Sequence, residues 1–145
     1  MKAAFIYNFA KFTAWPPAAS PTAEPIVLCV LGDADVGEAL AQTVKGRALG
    51  GRSMSVSLMT HGGPSRKCHL LYVSGGTAAQ AAQLLSGLRD EPVLTISDLE
   101  SFTELGGIAR FFFEHGQLRF SVNLESALRA HLQISSKLMG LSIRK

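Results

Sequence analysis

The chain has 145 residues, 47% of them apolar and 17% charged. That length and composition fit one compact domain with a proper core and exclude a disordered chain. The net charge of +3 is scattered, with no basic block longer than two residues, which argues against a nucleic-acid binder. No apolar run reaches the ~20 residues a membrane span requires, so no membrane insertion is expected.

The opening stretch, KAAFIYNFAKFTAWP, is the densest run of large side chains in the sequence. Phe5, Ile6, Phe9 and Phe12 recur at helical spacing and form a wide apolar stripe. Asn8, Lys11 and Trp15 follow one another at about one turn along another side. Pro16 and Pro17 are expected to stop this helix, since proline lacks an N–H and restricts the residue before it. Met1 leads directly into the amphipathic stretch, without the apolar core and cleavage site of a leader.

Residues 18–25 read as a loop. Ile26 to Leu31 is a continuous apolar run, as in a strand buried on both faces. A glycine-containing turn follows, then a helix from Val36 to Thr43, which begins an α/β unit. Gly46 to Gly51 is a turn, and Arg52 to Met59 alternates as an edge strand does. After a loop at His61 to Lys67, His69 to Ser74 is a second buried strand.

Gly75 and Gly76 turn the chain into a helix capped by Thr77 and running to about Leu88, with Ala78, Ala81, Ala82 and Leu85 facing the sheet. Pro92 to Ser97 is a third buried strand, and Asp98 to Leu105 a short helix capped by Ser97 or Asp98 and ended by Gly106 and Gly107. Ile108 to Phe113 and Leu118 to Val122 flank a turn of hairpin length at Glu114 to Gln117. Asn123 caps a helix from Leu124 to Ala130, and a last short helix covers Ser136 to Leu141. The expected fold is a single three-layer α/β domain. Its mainly parallel sheet has about six strands, ends in an antiparallel hairpin and carries helices on both faces.

The motifs of several chemistries are absent. Gly32 and Gly37 do not have dinucleotide-binding spacing, Glu38 stands where a P-loop has lysine, and Asp33 and Asp35 repel phosphate. His61, Cys68 and His69 form no zinc-ligand pattern. Ser135, Ser136 and Lys137 lack Ser-x-x-Lys spacing, no serine lies in G-x-S-x-G, and Cys68 beside His69 fits no thiol-protease pattern. No carboxylate pair is singled out for acid/base work. The expectation is a non-enzymatic domain without cofactor or metal. On the residues alone, Cys29 and Cys68 are either a disulfide joining neighbouring strands or two buried thiols.

Three stretches together resemble the YfiR/HmsC-like periplasmic family. They are KAAFIYNFAKFTAWP, then IVLCVLGDADVGEAL with GRALGGRSMSV and CHLLYVS, and finally GGIARFFFEHGQLRFSVNLESALRAHLQISSKLMGL. The resemblance covers nearly the whole chain. It implies an exported protein whose leader this chain lacks, and periplasmic location. It implies repression of an inner-membrane diguanylate cyclase through its periplasmic sensor region, under the control of an outer-membrane lipoprotein, with effects on cyclic-di-GMP and biofilm formation. It also implies a homodimer and a disulfide between Cys29 and Cys68. A well-studied family member carries a second cysteine pair near the closing hairpin; Phe111 to Phe120 here contains none, so a switch built on that pair is not expected.

A contact surface for such a partner is expected to include exposed apolar groups. The candidates are Tyr7, Asn8, Lys11 and Trp15 on the first helix and Phe111, Phe113 and Phe120 on the hairpin. The alternative is a small-ligand-binding domain for nucleotides or aromatic compounds. It would use the crevice at the carboxyl ends of the strands, where Gly32, Gly75 and Gly76 lie.

Overall fold

The computed structural model describes residues 2–15, 25–49, 52–59, 68–75, 77–88 and 91–135. The helices are α1 (Lys2–Lys11), α2 (Ala34–Val44), α3 (Ala78–Gly87) and α4 (Leu124–Arg129). The strands are β1 (Thr13–Ala14), β2 (Ile26–Leu31), β3 (Ala48–Leu49), β4 (Arg52–Met59), β5 (Leu70–Val73), β6 (Leu94–Ser97), β7 (Ala109–Glu114), β8 (Gln117–Val122) and β9 (Gln133–Ile134). Seven strands form one sheet in the order β3-β4-β2-β5-β6-β7-β8, and β1 pairs with β9 in a separate two-stranded ladder. From β4 to β7 every neighbouring pair is parallel, while β3 and β8 join the two edges antiparallel.

Alternation along β2 divides the molecule into layers. Ile26, Leu28 and Val30 enter the large core shared with Ile6 and Phe9 of α1 and Val36 and Leu40 of α2. Cys29 points to the opposite face, where Leu71, Val73 and Val93 pack with Leu84 and Leu88. The three-layer α/β architecture expected from the sequence is therefore present, with α1 and α2 on one face and α3 on the other. The glycine turns sit where the backbone demands them. Gly32 has a φ of +89°, and a Cβ there would overlap the carbonyl oxygen of Ser74.

The caps predicted at Thr77 and Asn123 are present, and Asn123 accepts from Ser126 N–H. Asp33, which was not predicted as a cap, accepts from Val36 N–H at the start of α2. Thr77 and Gln80 form a reciprocal capping box. The turn between β7 and β8 has two residues, His115 and Gly116, with φ values of 53° and 77°. Positive φ at both positions is the pattern of a type I′ turn, whose twist matches that of paired strands.

Four expectations require correction. The first helix ends at Lys11, not at the prolines. Its last turn closes with Phe12 N–H on Asn8 O, and the Thr13 hydroxyl donates to Phe9 O at 2.6 Å. Thr13 and Ala14 then pair antiparallel with Ile134 and Gln133. Strand pairing with a distant segment thus captures residues that helical periodicity would have continued. Residues 98–105 form successive turns rather than a helix. They are pinned by the buried Phe102 and by Asn123 Nδ2, which donates to Thr103 O at 2.9 Å. The Gly46 to Gly51 turn contains β3, so β4 is not the outermost strand at its start. Lastly, Phe111 and Phe120 of the predicted contact surface are core residues, as described below. The predicted helix at Ser136 to Leu141 and the loops at residues 18–24 and 61–67 lie outside the described residues.

Candidate functional site

The junction between α1 and the sheet is built on His69. This residue is buried just before β5, beside Cys68. Its N–H donates to Val27 O at 2.9 Å, and its Nδ1 accepts from Val27 N–H at 3.0 Å. Nδ1 therefore carries no proton in this arrangement. The His69 carbonyl accepts twice, from Leu94 N–H at 2.9 Å and from the Trp15 indole N–H at 2.8 Å. The Trp15 and His69 rings meet edge to face at 6.0 Å. Trp15 thus does not continue the polar side of α1 with Asn8 and Lys11. It anchors the strand that follows the helix.

Cys29 and Cys68 form a disulfide with Cα atoms 6.0 Å apart across 39 positions of sequence. Both cysteines are buried against Leu71, Val73 and Val93. The bond fastens β2 to the residue preceding His69, so cross-link and tryptophan anchor meet at one end of β5.

The remaining candidate residues separate into two groups. Asn8 and Lys11 are exposed. Tyr7 is half-buried and lies under the Arg47 guanidinium at 5.2 Å from its ring centroid. Phe113 near the hairpin tip is 64% exposed, whereas Phe111 and Phe120 are each 1% exposed. Phe5 and Phe9 of α1 both pack on that buried pair, with Phe9 and Phe120 centroids 4.8 Å apart. Edge-to-face contacts of this kind contribute ~0.5–1.5 kcal/mol per pair beyond burial. Phe111 and Phe113 share a strand face, and only the first lies beneath α1. Sequence reasoning also missed Leu128, which is 72% exposed, and the half-exposed Leu124 one turn before it on α4. Their i, i+4 spacing was visible, but a short helix can present such a pair either to the core or to solvent.

At the carboxyl ends of β2 and β5 the backbone closes on itself. Ser74 N–H donates to Leu31 O at 2.9 Å, and the Ser74 hydroxyl donates to Asp98 Oδ2 at 3.3 Å. An open groove of about 650 Å³ lies elsewhere, between the end of α2 and the β3–β4 edge, lined by Val44, Lys45, Arg47, Met54 and Val56 among others. Among the described residues, no three His, Cys, Asp or Glu side chains gather as metal ligands. No described helix is long and apolar enough to cross a membrane.

These features define a class: a three-layer α/β domain whose parallel sheet is cross-linked beside a buried histidine and whose N-terminal helix is packed onto a C-terminal hairpin. Comparison with family models matches residues 1–143 to the YfiR/HmsC-like family, and the chain belongs to that family. No curated protein matches it significantly.

Proposed function

We propose that this protein is a non-enzymatic periplasmic regulator. On this reading it binds the periplasmic sensor region of an inner-membrane diguanylate cyclase and holds that enzyme inactive, limiting cyclic-di-GMP and biofilm formation. The observation that carries the reading is membership of the YfiR/HmsC-like family over residues 1–143. The Cys29–Cys68 disulfide supports it, because such bonds persist in oxidising compartments. Asn8 and Lys11 on α1, with Tyr7 at its margin, and Phe113 on the hairpin form the proposed contact groups. An outer-membrane lipoprotein that sequesters the protein, and a homodimer in solution, belong to the same reading.

The test is capture from native membranes with the disulfide-bonded protein as bait, compared with the Asn8→Ala/Lys11→Ala and Phe113→Ser variants. Enrichment of a cyclase by the parent chain and its loss in the variants is the expected result. A bait that enriches no cyclase or other signalling receptor would argue against the proposal.

A second reading, binding of a small nucleotide or aromatic ligand, has one observation in its favour. The groove beside α2 has a volume within the range of small-molecule sites and a basic rim at Lys45 and Arg47. A thermal-shift screen separates the two, since a ligand at ~100 times its dissociation constant stabilises by about 2.7 kcal/mol.

A further inference from the structure

The face of the β7–β8 hairpin turned away from the α1 core carries Arg110, Phe112 and Glu114 on one strand. Ser121, Arg119 and Gln117 stand opposite them in register. The Arg110 guanidinium lies over the Phe112 ring, 4.7 Å from its centroid. Stacking of this kind occupies the flat face of a guanidinium and does not use its in-plane N–H donors. Arg119 faces Phe112 directly across the ladder. The two arginines are therefore diagonal neighbours on one face, a relation that brings long side chains within reach of a common point.

Among the described residues, no acidic group neutralises their charges. The Nε of Arg110 and the Nε of Arg119 are both buried and have no hydrogen-bond partner. Glu114 is the carboxylate on the same face, yet neither arginine forms an ion pair with it or with any other described residue. Two like charges at diagonal positions with buried, unsatisfied donors are unfavourable unless an acceptor joins them. The group that meets this need presents two or more oxygens and at least one negative charge. Such a group engages Nε–H and an Nη–H of one guanidinium side-on and reaches the other as well.

We propose that Arg110 and Arg119 form a binding site for a small oxyanion, phosphate or carboxylate, on the half-buried face of the hairpin turned away from the α1 core. The site is separate from the groove beside α2 and does not depend on the identity of any protein partner.

The experiment is an amide-shift NMR titration of the intact, disulfide-bonded chain. Inorganic phosphate and succinate are added in separate arms, each against sodium chloride of equal ionic strength. Saturable shifts centred on β7 and β8 with phosphate identify a phosphate-type ligand. The same with succinate alone identifies a carboxylate-type ligand, and both outcomes support the site. The Arg119→Lys and Arg110→Lys variants retain charge but lose the planar fork, and each should bind about tenfold more weakly or worse. Circular dichroism checks that they fold. Shifts reproduced by chloride, absence of saturation in the millimolar range, or affinity unchanged in both folded lysine variants would overturn the proposal.

Discussion

The indole N–H of Trp15 donates to the carbonyl oxygen of His69, across 54 positions of sequence, at 2.8 Å. This bond fixes the end of the N-terminal segment to the strand entry that carries the disulfide. Trp15→Phe keeps an aromatic ring but removes the donor, and should lower stability by about 1 kcal/mol, the usual net value of one such bond. The His69 carbonyl would still accept from Leu94 N–H. Trp15→Ala also removes the packing and should cost about 2 kcal/mol or more. Urea midpoints followed by circular dichroism check both. Equal loss in the two variants would mean that the ring contributes nothing beyond the hydrogen bond, and no loss in Trp15→Phe would mean that the bond itself contributes nothing.

The Cys29–Cys68 bond closes a loop of 39 positions. On the chain-entropy model, that closure destabilises the unfolded state by about 4 kcal/mol. The Cys29→Ala/Cys68→Ala variant should lose most of that amount, and reductant should lower the midpoint of the parent chain but not that of the variant. Because both cysteines are buried, reduction of the folded protein should be slow without denaturant. A variant as stable as the parent would refute a structural role for the bond.

Two glycines of positive φ separate backbone strain from steric overlap. Gly32 and Gly46 have φ values of +89° and +74°, but only at Gly32 does a Cβ meet a neighbour, the Ser74 carbonyl. Gly46→Ala should therefore cost about 1 kcal/mol, from the left-handed conformation alone. Gly32→Ala should cost clearly more, about 2–4 kcal/mol, because backbone must move as well. Thermal unfolding of the two variants decides it, and equal shifts would show that the β2–β5 closure yields easily.

Phe111 and Phe113 stand two residues apart on one strand and should respond oppositely. Phe111→Ala opens the core between α1 and the sheet and should cost about 3–5 kcal/mol. Phe113→Ser, at a position 64% exposed, should change stability by no more than about 0.5 kcal/mol. If the hairpin tip contacts the proposed membrane partner, only Phe113→Ser loses capture while remaining folded. A folded Phe113→Ser protein that captures the partner normally removes this residue from the contact surface.

Much of the fold was legible in residue order because its signals are local. The apolar runs at Ile26–Leu31 and Leu70–Val73 identify strands covered on both faces. Thr77 and Asn123 mark helix starts by accepting from the N–H three positions on. His115-Gly116 permits a two-residue turn because both positions adopt positive φ. The cysteine pairing followed from resemblance rather than from spacing.

Other features depend on partners far away in the chain. Helical periodicity cannot show that Thr13 and Ala14 leave the helix, since their strand partners are Ile134 and Gln133. Nor can it find the His69 carbonyl that takes the Trp15 indole out of line with Asn8 and Lys11. Strand alternation places Phe111 and Phe113 on the same face and goes no further. One is buried and the other exposed because the Phe5 and Phe9 side of α1 covers the first and not the second. Local patterns in residue order set most of the strands and helices and their apolar faces. The assembled layers decided which apolar residues remain at the surface, since exposure depends on where a covering element ends.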